Sequence, residues 1–337
     1  MPETKKRASA RYARMTRAFI APALMLGVAF TAAPASAQDV IVGLVTKTEV
    51  NPFFAKMRQA AEARAKEKGV KLIARAGKFD GDNEGQVAAI EDLISAGAKG
   101  ILVTPNNSSG MLGIIKKARD AGILVIALDT ATDPADAVDA TFATDNFQAG
   151  VTQGAYARKA MGDKKAVVAM LDGTPGGTVD TFRHNGYLKG FGIKEGDPAI
   201  AGSAITNGAQ DKGQVGMENL LSKNGDINAV YTINEPAAAG AYAALKSFGK
   251  EDQVMLTSID GGCAGVRDVK AGKIAATVMQ FPYKMASMGI DAVVEYAASG
   301  KKPHGFVDTG SVLITDKPVA GMDSKDTAWG LKNCWGD

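Results

Sequence analysis

The chain has 337 residues, 39 of them basic and 36 acidic, for a formal charge of +3 at neutral pH. Apolar residues make up 46%, charged residues 22%, and glycine is frequent at 39, which excludes a disordered or fibrous chain and suits an α/β protein with many short turns. Residues 1–37 hold six basic residues and one acidic residue, so the remainder stands at −2 and offers no electrostatic footprint for nucleic acid.

In chain order, the first feature is a basic leader of Lys5, Lys6, Arg7, Arg11, Arg14 and Arg17. An apolar run over 18–33 follows, and Ala35-Ser36-Ala37 supplies small residues for a signal peptidase. Pro22 and Pro34 break the run, which falls short of the about 20 apolar residues that a membrane span takes. The expectation is a cleaved signal peptide over 1–37 and an exported protein beginning at Gln38.

Beyond it, short β-branched runs alternate with amphipathic stretches. A strand is predicted over 40–45, then a helix over 52–68, a strand over 71–76 and a helix over 84–96. A strand over 100–104, a helix over 108–121, a strand over 124–129 and a short apolar run over 141–144 follow. Past this point, helices over 148–161, 178–191, 210–221, 237–248 and 283–298 alternate with strands over 166–171, 229–234, 254–260 and 275–280. Apolar strands separated by helices imply parallel sheets covered on both faces, and about ten strands imply two sheets, with a break near Thr144-Asp145. Gly69, Gly97, Gly122 and Gly249 stand where a helix must turn left-handed into the next strand.

Asp129, Asn234, Asp260 and Gln280 each close an apolar run. Ligands of open parallel sheets bind outside the carboxyl ends of the strands, so these acids and amides suggest a site built for hydroxyl groups. Capping of the next helix is the alternative for any one of them. Two cysteines, Cys263 and Cys334, are an even number in an oxidising compartment, which invites pairing; two separate buried thiols are the alternative. Enzyme chemistry finds little support. The two histidines, His184 and His304, accompany no nucleophile elbow, and no His/Cys cluster has metal-ligand spacing. The glycine-rich run 172–177 lacks the Lys-Ser/Thr of a P-loop and the spacing of a dinucleotide fingerprint, and it reads as a flexible loop facing the site. No helix-turn-helix module precedes the first strand, which argues against a regulator.

Several motifs stand in a telling order: Asn51-Pro52-Phe53-Phe54, Leu128-Asp129, Thr144-Asp145-Asn146, Arg183 ahead of Gly186, Asn234-Glu235, Ile259-Asp260-Gly261 and Gln280-Phe281-Pro282. In these the chain resembles the ribose-type periplasmic sugar-binding proteins of ABC importers, over about residues 40–319. Thr46-Lys47-Thr48, Ala76-Gly77-Lys78, residues 234–240, Asp260-Gly261-Gly262-Cys263 and Cys334-Trp335-Gly336 carry a closer likeness to the fructose-binding subgroup.

The resemblance implies a two-lobed α/β fold of type I, each lobe a parallel sheet flanked by helices, with three hinge crossings near Thr144, Gln280 and 308–312. The N-terminal lobe takes 38–144 and 281–310, and the C-terminal lobe takes 145–280 and 311–337. It implies a periplasmic, monomeric protein with no cofactor, which closes on a monosaccharide and delivers it to a membrane permease; presentation to a chemoreceptor would use the same fold. The implied ligand-binding residues are Lys47, Asn51, Phe53, Phe54, Thr104, Asp129, Asp145, Arg183, Asn234, Asp260 and Gln280, with Asp180 and Glu235 as further candidates. The aromatic rings would cover the C–H faces of a sugar and the polar groups its hydroxyls. Ribose-type relatives commonly carry Arg after the strand-end Asp, where this chain has Thr130, and Lys47 is expected to replace that cation.

Overall fold

The computed structural model describes residues 40–336, and the expected signal peptide lies outside them. The first strand, β1 (Ile41–Thr46), is apolar at nearly every position and buried on both faces. Helix α1 (Pro52–Lys68) starts where Asn51 accepts a hydrogen bond from the Phe53 N–H at 2.9 Å, with Pro52 in the first turn, and stops at Gly69, φ 69°. Strands β2 (Lys71–Ala76), β3 (Gly100–Val103), β4 (Leu124–Leu128) and β5 (Ala140–Ala143) alternate with helices α2 (Asn83–Ser95) and α3 (Leu112–Asp120).

The second half repeats this plan. Helix α4 (Asn146–Met161) leads to β6 (Val168–Asp172), α5 (Thr178–Phe191), β7 (Ile200–Ile205), α6 (Gln210–Lys223) and β8 (Ala229–Thr232). Then come α7 (Glu235–Ser247), β9 (Met255–Asp260), α8 (Cys263–Lys270), β10 (Ala276–Met279), α9 (Pro282–Ser299), β11 (Gly305–Asp308), β12 (Val312–Ile314) and α10 (Thr327–Asn333).

Two six-stranded sheets result, ordered β11-β5-β4-β3-β1-β2 and β12-β10-β9-β8-β6-β7. The pairings are parallel except that of β12, which runs antiparallel to β10 because the chain leaves the carboxyl end of β11 and enters the second sheet at its carboxyl edge, where Val312 pairs with Met279. The chain passes from one sheet to the other after β5, after β10 and after β11. Helix α9 returns to the first sheet and puts Met285, Ala286, Ile290 and Val293 into one core with Phe53, Phe54 and Met57 of α1.

Several elements have no counterpart in the sequence expectations. β7 and β11 are sheet edges with half-exposed, weakly patterned residues, β12 has three residues, and α8 and α10 are short. Helix α3 begins later than expected, since the Asn107 side chain accepts from the N–H groups of Ser109 and Gly110 and holds that stretch as a turn.

Helices α4 and α5 meet backbone to backbone. A Cβ at Gly150 would strike the Arg183 carbonyl, at Gly154 that of Tyr187, at Gly186 that of Phe147 and at Gly190 that of Val151. This four-glycine seam sets the height of α5. On its other side His184 donates to Asp172 at 2.7 Å and to Glu195 at 3.0 Å. The Asp172 hydrogen bond outweighs burial and raises the His184 pKa to about 9.

Two outcomes follow from these contacts. Gly154→Ala has no flexible neighbour to displace and should lower unfolding free energy by about 1–3 kcal/mol or more in a denaturant titration. The raised His184 pKa gives stability that is fully present below pH 6.5 and lost as pH rises through about 9. The fall in melting temperature over that window should therefore be smaller in His184→Gln than in the parent.

Candidate ligand-binding cleft

The carboxyl ends of the two sheets face each other across a narrow cleft lined from both sides. From the first sheet come Lys47 just after β1, Asn51, Phe53 and Phe54 at the start of α1, Asp80 from the loop after β2, and Asp129 after β4. From the second come Thr174 after β6, Asp180 and Arg183 on α5, Asn234 after β8, Asp260 ending β9 and Gln280 after β10.

Arg183 is the node of this wall. Its side chain is 4% exposed, and its donors reach Asn146 Oδ1 at 2.8 Å, the Ile233 carbonyl at 2.9 Å and Gln280 Oε1 at 2.9 Å. Asp129 Oδ1 stands 4.0 Å from its Nη2. Gln280 in turn donates to Asp260 Oδ1 at 2.8 Å, and Thr130 donates to Asp129 Oδ2 at 2.8 Å. Thus Thr130 orients Asp129 while Arg183 approaches it from the other lobe.

Behind Asp260 lies Glu235. Its carboxylate accepts from the N–H groups of Gly261 and Gly262 at 2.8 and 3.0 Å and from the Thr277 hydroxyl at 2.7 Å. A Cβ at Gly265 would occupy the place of this carboxyl group. Burial raises the pKa of both acids above the ordinary carboxylate range; the Asp260 charge adds to this at Glu235, while Arg183 pulls Asp260 back.

Lys47 is 5% exposed, and among the described residues its ammonium has no hydrogen-bond or ion-pair partner. It faces the same pocket as Asp180, whose carboxyl accepts from the Gly173 N–H at 2.6 Å and is raised by burial, with Lys47 opposing that rise. Phe53 and Phe54 meet edge to face, 5.4 Å between centroids, and both present surface to the cleft.

The two lobes also touch at the rim. Thr174 donates to Asp80 Oδ1 at 2.6 Å and Asn207 to the Asp80 carbonyl at 3.3 Å. Ser108 N–H donates to the Gly176 carbonyl at 2.9 Å, and Thr178 N–H to the Ser108 hydroxyl at 3.0 Å. This is a closed arrangement.

Ten of the residues named from the sequence thus line one pocket: Lys47, Asn51, Phe53, Phe54, Asp129, Asp180, Arg183, Asn234, Asp260 and Gln280. Two stand elsewhere. Thr104 is fully buried below the cleft floor, and its hydroxyl donates to Met57 Sδ at 3.7 Å. Asp145 caps α4 by accepting from the Gln148 N–H at 2.9 Å, and it borders a separate surface depression with Phe147, Phe182 and Phe306. Glu235 supports Asp260 from beneath. Asn51 and Asn234 both line the pocket and cap α1 and α7, so the two readings of a strand-end amide coexist. Asp80 and Thr174 went unnamed because both sit in loops, though Thr174 belongs to the glycine-rich run. Cys263 and Cys334 are joined as a disulfide with Cα atoms 4.9 Å apart.

The sequence pattern of the periplasmic binding protein domain matches residues 42–302. The ribose import binding protein of Haemophilus influenzae is 33% identical over 268 residues, covering 80% of this chain and 88% of that protein. The D-allose-binding periplasmic protein of Escherichia coli is 29% identical over 283 residues, covering 81% and 91%. Among solved structures, a periplasmic solute binding protein of an ABC transporter from Actinobacillus succinogenes, with bound D-allose, superimposes with a TM-score of 0.74 at 29% identity, covering 82% of this chain and 97% of that one. The chain belongs to the periplasmic binding protein family, and it is a binding protein rather than an enzyme.

Proposed function

We propose that the chain is the periplasmic sugar-binding component of an ABC importer, and that it grips a neutral monosaccharide in the interlobe cleft. The observation that carries this reading is the lining of the pocket. Four carboxyl groups, Asp80, Asp129, Asp180 and Asp260, face two cations, Lys47 and Arg183, beside two phenyl rings. An excess of acids repels sugar acids and sugar phosphates, whereas carboxylates accept strongly from hydroxyl groups. The rings suit the apolar face of a pyranose or furanose.

D-Fructose is the ligand we favour, on the likeness of the stretches around Lys47, Asn234 and Asp260 to the fructose-binding subgroup. D-Ribose and D-allose are its competitors, since relatives are named for them. The unpartnered Lys47 ammonium supports a ligand oxygen at that end of the pocket. Binding shifts the lobes towards the closed state, because a sugar touching both walls has more contacts there than in an open cleft. The closed protein then docks, as a monomer, on the membrane permease, which completes import.

A thermal-shift screen of the mature chain against monosaccharides, polyols, sugar acids and amino acids tests the assignment, since a true ligand raises the melting temperature with the logarithm of its excess. Shifts confined to amino acids or to anionic sugars would sink it. By calorimetry, Lys47→Ala should weaken binding by about tenfold or more, the worth of a hydrogen bond from a charged donor. Asp145→Asn, which keeps the α4 cap, should leave affinity unchanged. Because burial raises the Asp260 pKa and a hydroxyl donor favours the ionised carboxylate, affinity should fall as pH drops below neutrality. Proton release on binding, read in buffers of different ionisation heat, should vanish in Asp260→Asn.

A further inference from the structure

The last described residues lie behind the cleft wall. Cys334 is bonded to Cys263 in the first turn of α8. The next residue, Trp335, fixes its main chain to the second lobe, accepting from the Cys263 N–H at 2.9 Å and pairing with Gly262. Its indole, only 4% exposed, leaves that lobe. The ring meets Phe53 edge-on at 5.5 Å within the core of α1 and α9. Its Nε1–H donates to the Gln280 carbonyl at 2.8 Å.

We propose that Trp335 is a positioning residue for the cleft, through which the disulfide-anchored tail controls ligand affinity and lobe closure. The proposal rests on the reading of the cleft as a sugar site. One side chain backs an aromatic wall of the first lobe and holds the last residue before the second crossing, while its backbone belongs to the second lobe. Gln280 carries Arg183 and Asp260 on its amide, so a shift of its main chain moves both ligand-facing groups. Loss of the indole opens a void behind Phe53 and removes the donor from a buried carbonyl. The tail is thus a further tie between the lobes, outside the three crossings.

The chain has two tryptophans, Trp329 and Trp335, so Trp329→Phe leaves Trp335 as the single reporter. Titrated with D-fructose, D-ribose and D-allose, its emission should change with the midpoint found by calorimetry. Trp335→Ala should weaken binding by about tenfold or more, and Trp335→Phe, which keeps a ring but loses the donor, by about three- to tenfold. In small-angle scattering the ligand-free Trp335→Ala protein and the Cys263→Ser/Cys334→Ser protein should both show a larger radius of gyration than the parent. An emission indifferent to a sugar that does bind, or unchanged affinity in a folded Trp335→Ala protein, overturns the proposal. Should Trp335→Ala not fold, Trp335→Phe decides, and parental affinity in that variant overturns it. If neither these sugars nor any neutral monosaccharide or polyol of the thermal-shift screen binds the parent, the sugar reading fails by itself. The ligand-free scattering still decides the role of Trp335, an unchanged radius overturning it.

Discussion

A guanidinium group taken out of water must find its partners inside the protein, and the partners of Arg183 are drawn from both sides of the cleft. Asn146 and Gln280 sit beside two crossings, Ile233 ends a strand of the second sheet, and Asp129 ends a strand of the first. Removing any one of them leaves part of a buried charge unmatched, a far larger cost than the loss of an exposed ion pair. The closed geometry of the lobes is therefore specified by one cation as much as by the rim contacts.

The position of that cation is itself a consequence of backbone packing. The glycine seam brings α4 against α5 with no side chain between them, which puts Arg183 within reach of Asn146 at the start of α4. Elsewhere on the same wall of the cleft, Gly265 leaves room for Glu235, and Glu235 holds the Gly261-Gly262 turn that follows Asp260. Absent side chains thus fix the charged ones. The capping amides follow the same economy: the Asn234 oxygen ends the orphan N–H of Ala237 while its NH₂ donates to Gly208, so the residue is rigid before any ligand arrives.

Much of this was legible in the sequence, and the exceptions have physical causes. Pro52 and Gly69 mark the ends of α1 because each restricts the backbone by itself. The edge strands β7 and β11 pack one side only, so their sequences carry no continuous apolar run. Strand-end residues could be named because both sheets put their carboxyl ends at the cleft. The family likeness also named Thr104, whose hydroxyl turns inward to a sulfur atom, and Asp145, whose carboxylate is used by a helix end, and neither lines the pocket. Asp80 and Thr174 meet only when the lobes close, a contact between distant loops that no local pattern encodes. Trp335 was read only as part of a family likeness, since nothing in its neighbourhood reveals that it reaches Phe53.

The interleaving of the lobes also governs the order in which the molecule can be assembled. The second lobe is nearly continuous from α4 to β10 and lacks only β12 at its edge and α10 with the tail behind it. The first lobe must wait for α9, which supplies Met285, Ile290 and Val293 to its core, and for β11, which covers β5. Those contacts close a loop as long as the entire second lobe, and their entropy cost falls late. A nascent chain ending at β10 would thus carry a second lobe short of its β12 edge and α10 beside a first lobe with an open apolar flank, so the portion synthesised first stays open until chain made after most of its partner arrives.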